Sequence, residues 1–188
     1  LIECRFHGRG GQGAVTGCEL MVYALSREGK YAQAFPFFGF ERRGAPVTSF
    51  LRIDSEPILV RQQVYEPDAV VVLDAGLVGI VPWQRGIKKG GLAVLNVPEG
   101  KAPKPTAELS ALATVDATGI SLQVFGPTAI PITNTAMLGA LAKATGWVKP
   151  ENIHEAVKYR FGGAMGERNI KAVQIAYDQT KVERMGGL

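Results

Sequence analysis

Apolar and polar positions along the chain alternate between strand and helix spacing. Ile2, Cys4 and Phe6 are interleaved with polar residues and predict a strand, followed by the turn Gly8-Arg9-Gly10-Gly11-Gln12-Gly13. Over residues 14–27, Ala14, Cys18, Met21 and Leu25 recur at helical spacing and mark one buried face. Residues 31–35 read as a second strand that stops at Pro36. Residues 47–53 and 58–64 read as a hairpin across Asp54-Ser55-Glu56-Pro57. Residues 69–73 and 92–97 are uniformly apolar, as strands covered on both faces are, and 113–116 form a late strand.

The last third is helical. Residues 134–145 carry one charge, Lys143, and predict a buried helix ended by Gly146. Pro150 sits at a favoured first-turn position of the next helix, which turns Ile153, Ala156 and Val157 inward. Gly162-Gly163 separates it from a final helix over 167–181. Strands alternating with helices predict an α/β fold: a single three-layer domain over residues 1–188, with a largely parallel sheet and a Rossmann-like first βα unit.

Composition narrows the chemistry. The 188 residues include two cysteines and two histidines, too few thiolates for an iron–sulfur cluster and no basis for a disulfide framework. No metal-ligand spacing and no Ser-His-Asp order with a nucleophile elbow is present, so no catalytic residue is assigned. Cys4 and Cys18 fall at apolar positions, and His7 and His154 read as structural. No run approaches a membrane span, the first residues read as a strand and not as a signal peptide, and the expected location is cytoplasmic. The net charge of +4 lies wholly in residues 85–104, where five basic residues face one acid. That stretch surrounds an apolar strand, which suits a solvated rim or an acidic partner surface better than nucleic acid.

Two stretches stand out. Gly8, Gly10 and Gly13 have dinucleotide-fingerprint spacing between a strand and a helix, where backbone amides and a helix N-terminus can receive an anion and Arg9 can add a charge-assisted contact. The ribose-binding acid expected about 20 residues onward is missing, because the second strand ends in Phe35-Pro36. Binding of another phosphate and a purely structural turn both remain open. The second stretch, residues 35–46, sets four Phe around Pro36 and Gly39, directly before Glu41-Arg42-Arg43. Exposed Phe favours cover by another chain, although a small core beneath the loop would also hide it. Phe40, Glu41, Arg42 and Arg43 are candidates for an interface or for phosphate.

Phe-His-Gly-Arg-Gly-Gly-Gln-Gly-Ala-Val (6–15), Phe-Gly-Phe-Glu-Arg-Arg-Gly-Ala-Pro-Val (38–47) and Asn-Thr-Ala-Met-Leu-Gly-Ala (134–140) together resemble the gamma subunits of the 2-oxoacid:ferredoxin oxidoreductases, pyruvate enzymes above all. The likeness runs nearly end to end. It departs at Phe37 and Phe40, where Ser and Pro are common in the family. The resemblance implies a complex that oxidatively decarboxylates a 2-oxoacid, with coenzyme A as acyl acceptor and ferredoxin as electron acceptor. It also implies thiamine diphosphate with Mg on alpha and beta subunits and iron–sulfur clusters on beta and delta subunits. The gamma chain itself would hold no cofactor alone, packing on the thiamine-bearing subunits and sharing coenzyme A. On that reading Gly8, Arg9, Gly10, Gly11, Gln12 and Gly13 receive a coenzyme A phosphate, and Asn134 caps its helix or points into the same crevice. A stand-alone dinucleotide-binding oxidoreductase or sensor domain is the competing expectation.

Overall fold

A computed structural model describes residues 1–37 and 44–185. The candidates Phe40, Glu41, Arg42 and Arg43 lie outside the described residues. Seven strands form one sheet in the order β2-β3-β1-β4-β5-β6-β7. These are β1 (Ile2–Arg9), β2 (Tyr31–Phe37), β3 (Pro46–Asp54), β4 (Ala69–Val72), β5 (Gly91–Asn96), β6 (Leu109–Val115) and β7 (Lys181–Arg184). The four central strands β1, β4, β5 and β6 run parallel, while β2 and β3 at one end and β7 at the other pair antiparallel. The fold is a single α/β domain, as the strand and helix spacing predicts.

The two faces are covered differently. Helices α1 (Ala14–Ser26), α2 (Ala117–Phe125), α3 (Asn134–Thr145), α4 (Pro150–Phe161) and α5 (Gly163–Gln179) all contribute to one core with Phe6, Leu51, Val71 and Val94. On the opposite face a 3₁₀ turn (Ala75–Leu77) and irregular chain bury Val70, Val72, Ala93 and Leu95 beneath Leu77 and Trp83. The third layer is therefore loop and not helix. Buried on both faces, β4 and β5 are apolar throughout, so their sequences show no alternation. Cys4 and Cys18 are both fully buried in the helical core. Burial pushes the Cys18 thiol up to about 12, so it packs as a small apolar side chain.

Several elements differ from the sequence expectation. Residues 58–64 form no strand. They cross the loop face as an irregular strap, and β3 takes β1 and β2 as its partners instead. The reason is Arg52, whose side chain is fully buried under the strap. Its guanidinium donates to the Val60 and Gln62 carbonyls (3.2 and 2.7 Å) and to Glu3 Oε1 (2.8 Å), and lies 5.0 Å from the Phe35 ring centroid. Bonds that a hairpin ladder would have made are made by one side chain. β2 continues through Pro36 to Phe37, which an edge strand tolerates. α2 escaped notice because Gly119 and β-branched residues mask its spacing, yet Asp116 caps it through the Gly119 amide (2.8 Å). The last helix begins at Gly163 and ends at Gln179, leaving Lys181–Arg184 to form β7.

α3 and α5 pack at backbone distance. A methyl at Gly139 would stand 2.1 Å from the Val173 carbonyl oxygen, so any larger residue pushes the helices apart. Replacing Arg52 by Met should cost about 3–5 kcal/mol, because Glu3 and two carbonyls lose their partner beneath the strap. Thermal unfolding of the variant checks this, and a Tm within a degree or two of the parent would contradict it.

Candidate functional site

β1 and β4 lie side by side in parallel, with Cys4 opposite Ala69 and His7 opposite Val72. After β1 the chain passes to the helical face through α1. After β4 it passes to the loop face through the 3₁₀ turn. Neighbouring parallel strands whose continuations part in this way leave a crevice at their C-terminal ends, the usual ligand position in open α/β sheets. The Gly8–Gly13 turn lies in that crevice, as its motif predicts.

A carboxylate already stands there. Asp74 Oδ2 accepts from Gln12 Nε2 (2.6 Å), and Asp74 Oδ1 accepts from Arg9 Nε (3.1 Å) and from the Leu77 amide (3.2 Å) that opens the 3₁₀ turn. Gln12 is 2% exposed, and its Oε1 accepts from the Arg9 amide at 2.8 Å. The turn thus closes on itself and on β4. Arg9 Nη1 also donates to the Gly44 carbonyl (3.1 Å). Gly10 is paired from both sides: its amide donates to the Ala45 carbonyl (2.9 Å), and its carbonyl accepts from the Gly44 amide (3.0 Å). The glycine turn is therefore bonded to the start of the stretch that leads into β3.

Asn134 joins the same junction. Gly13 adopts φ +79°, the left-handed region that favours glycine, and caps α1 without a side chain. A methyl there would stand 2.5 Å from Asn134 Nδ2. Asn134 is 5% exposed, and its Oδ1 accepts from the adjacent Thr135 amide (2.9 Å). Gly8 is buried at the end of β1, while Gly11 is exposed at the tip of the turn. The glycine turn, the Gly44-Ala45 step and Asn134, drawn from three separate stretches, form one packed unit.

Sequence reasoning missed Asp74. Its signal was an acid at the C-terminal end of a buried apolar strand, one residue before Ala75-Gly76, which is cap-forming chemistry. Asn96 and Thr133 were also missed as neighbours. Both donate to the Leu73 carbonyl, at 2.8 and 3.0 Å, and so tie β5 and α3 to the crevice. One strand position below the turn, His7 Nε2 accepts from Arg5 Nε (3.1 Å). Burial, and secondarily the Arg5 charge, pull the His7 pKa down to about 4, so the imidazole is neutral at pH 7. A neutral acceptor already bonded to Arg5 is poorly placed as a general base.

Three outcomes follow. Asp74→Asn keeps the turn cap but replaces the charge that holds Arg9 and Gln12, and should cost about 1–2 kcal/mol in denaturant unfolding. Gly13→Ala should cost about 1–2 kcal/mol from the left-handed backbone alone, with a further loss from the Asn134 contact. Adding Asn134→Ala should recover only that further part, which a double-mutant cycle reads. For His7, the folded pKa lies below the unfolded value near 6.5, so the unfolded state binds more protons between them. Its contribution, roughly 3 kcal/mol at most, is complete above pH 6.5 and is lost as pH falls toward 4. In His7→Asn that part of the acid destabilisation should disappear, and an unchanged pH profile would refute the assignment.

Comparison with known proteins gives a consistent answer. The family model described as pyruvate ferredoxin/flavodoxin oxidoreductase matches residues 3–179. The chain is 54% identical over 185 residues to the "Pyruvate/ketoisovalerate oxidoreductases common subunit gamma" of Thermococcus kodakarensis, covering 97% of this chain and 98% of that one. It is 51% identical over 181 residues to the "Pyruvate synthase subunit PorC" of Methanothermobacter marburgensis, covering 96% and 98%. Among solved structures, the pyruvate oxidoreductase subunit PORC of Thermotoga maritima superposes with a TM-score of 0.82 at 34% identity, over 97% of this chain and 98% of that one. With a family match across nearly its whole length and relatives of its own size, the chain belongs to the pyruvate ferredoxin/flavodoxin oxidoreductase family and groups with its gamma subunits.

Proposed function

We propose that this chain is the gamma subunit of a pyruvate-type 2-oxoacid:ferredoxin oxidoreductase, and that its task is to assemble with the subunits that carry out the chemistry. In this reading alpha and beta subunits hold thiamine diphosphate and Mg, and beta and delta subunits carry the iron–sulfur clusters that deliver electrons to ferredoxin. Coenzyme A takes the acyl group at a site formed by the assembly. One observation carries the assignment of roles: the side-chain donors of the glycine turn face inward, on Asp74 and Gly44. The turn then acts as a junction that fixes the start of β3 and the stretch leading into it.

The side chains of this turn are poorly placed for a coenzyme A phosphate. Asp74 already holds Arg9 Nε and Gln12 Nε2. No step is therefore routed through Arg9. Arg42 and Arg43 remain the candidates for a phosphate or for a neighbouring subunit. The strand order counts against the stand-alone dinucleotide-binding reading: β3 lies antiparallel between β1 and β2, so the end of β2 is not beside the glycine turn, where a ribose-binding acid would be needed. One relative is named as common to pyruvate and ketoisovalerate oxidoreductases. That name supports placing the choice of 2-oxoacid on other subunits.

The test is purification of the chain from its native complex. It should bring down the alpha, beta and delta chains together, and the complex should reduce ferredoxin with pyruvate only when coenzyme A is present. A monomer that binds NAD or FAD alone would overturn the reading. Within the complex, Arg9→Ala should leave the KM for coenzyme A within about twofold and weaken subunit retention. A raised KM with full assembly would return Arg9 to the phosphate.

A further inference from the structure

On the loop face, the strap and the 80–85 segment stand apart over β1 and β3. Between them opens a cavity of about 530 Å³. Its floor is Arg5, His7, Thr48 and Phe50, and its walls include Val64, Tyr65, Val81 and Arg85. None of the residues lining it is acidic. Arg5 is partly committed, since it donates to the Trp83 and Arg85 carbonyls at 3.0 and 2.6 Å. The Arg85 side chain has no ion-pair partner among the described residues and is exposed. A positive opening with apolar walls selects an anionic occupant.

The rim extends this character well past the cavity. Tyr65 is 67% exposed, Ile80 68% and Phe37 46%, and on the outer side of the strap Leu59 is 88% exposed. Along the strap and just past it, the exposed Arg61 adds a cation and the exposed Glu66 an acid. Tyr65 and Phe37 line the cavity itself, and exposed apolar side chains beside one opening mark an interaction site. A small anion could fill the cavity, yet it would leave Leu59 and Ile80 in water. Only a protein surface covers the floor and the rim together, and interfaces combine an apolar centre with a charged rim in this way.

We infer that this loop face, centred on Arg85, Tyr65 and Ile80, is the docking surface for an acidic, aromatic- or aliphatic-tipped segment of another subunit of the complex. The inference rests on the gamma-subunit reading, and it adds which face is covered and the chemistry of what covers it. On the helical face the exposed Leu122, Tyr159 and Met165 lie on three different helices, and Tyr159 is stacked on Tyr23 at 4.9 Å.

Cysteine labelling in the assembled complex tests this. Tyr65→Cys, Ile80→Cys and, as the control, Leu122→Cys are each co-purified with the partner subunits and exposed to a maleimide. Labelling of this chain is then read by mass. The native Cys4 and Cys18 are fully buried, so the introduced thiol dominates the signal. In the intact complex, Cys at 65 and 80 should label at least tenfold more slowly than Cys at 122. Arg85→Glu should lower the salt concentration at which this subunit dissociates. Fast labelling at 65 and 80 in an intact complex overturns the docking surface and leaves the gamma-subunit reading standing. Inorganic phosphate that slows labelling at 65 but not at 80 would assign the cavity to a small anion, which also overturns it. Failure of the chain to co-purify with any partner is the separate result that would sink the gamma-subunit reading itself.

Discussion

One carboxylate, Asp74, sets the arrangement of everything near the crevice. It ends a buried parallel strand, begins the 3₁₀ turn that covers the loop face, and draws Arg9 and Gln12 inward from the glycine turn. Without it the two cores would still form, because their apolar strands and helices bury independently of any ion pair. What would be lost is the registration of the glycine turn against the end of β4. Charge-assisted hydrogen bonds with restricted exposure suit this purpose, being directional where apolar packing is not. The Gly10 pairing with Gly44 and Ala45 then carries that registration to the stretch entering β3.

The same site shows how a familiar sequence pattern can serve a different end. Glycines 8, 10 and 13 do what such glycines do elsewhere: they permit a tight turn, a close backbone approach and a left-handed residue before a helix. In a dinucleotide site the space so created is filled by pyrophosphate. Here Asp74 takes the turn's side-chain donors, and the free approach of backbone is used by Gly44 and Ala45. The pattern is therefore specific for geometry and silent about what occupies it.

Legibility in the sequence followed the range of the interactions. The β1-turn-α1 unit, the apolar strands β4 and β5, and helices α3 and α4 depend on local spacing and emerged from it. The 58–64 stretch did not, because its conformation is decided by Arg52, whose buried charge bonds carbonyls eight and ten residues away. The apolar residues there were real, but the strap sets Val64 against the sheet and leaves Leu59 outside. α2 was hidden by its composition and β7 by the assumption that an apolar stripe continues to Lys181. At the site, Gly8 to Gly13 and Asn134 were legible as motifs. Their mutual contact was not, since it joins β1 to a helix more than a hundred residues later. Asp74 needed the knowledge that β1 and β4 are neighbours, which no local pattern supplies.

The chemistry of the chain is consistent with this division of labour. Its two thiols are buried with raised pKa values, and the imidazole of His7 is held neutral against Arg5. Arg9 and Arg52 are both engaged inside the fold. These groups are tied into packing. The uncommitted polar and apolar groups of the loop face, Arg85, Tyr65 and Ile80, sit over a sheet whose position is fixed by Arg52 on one side and by the Trp83 segment on the other. A docking surface works by shape, and shape needs a rigid backing. The buried arginine under the strap and the half-buried one beneath Trp83 supply it, holding irregular chain to the sheet where no helix does.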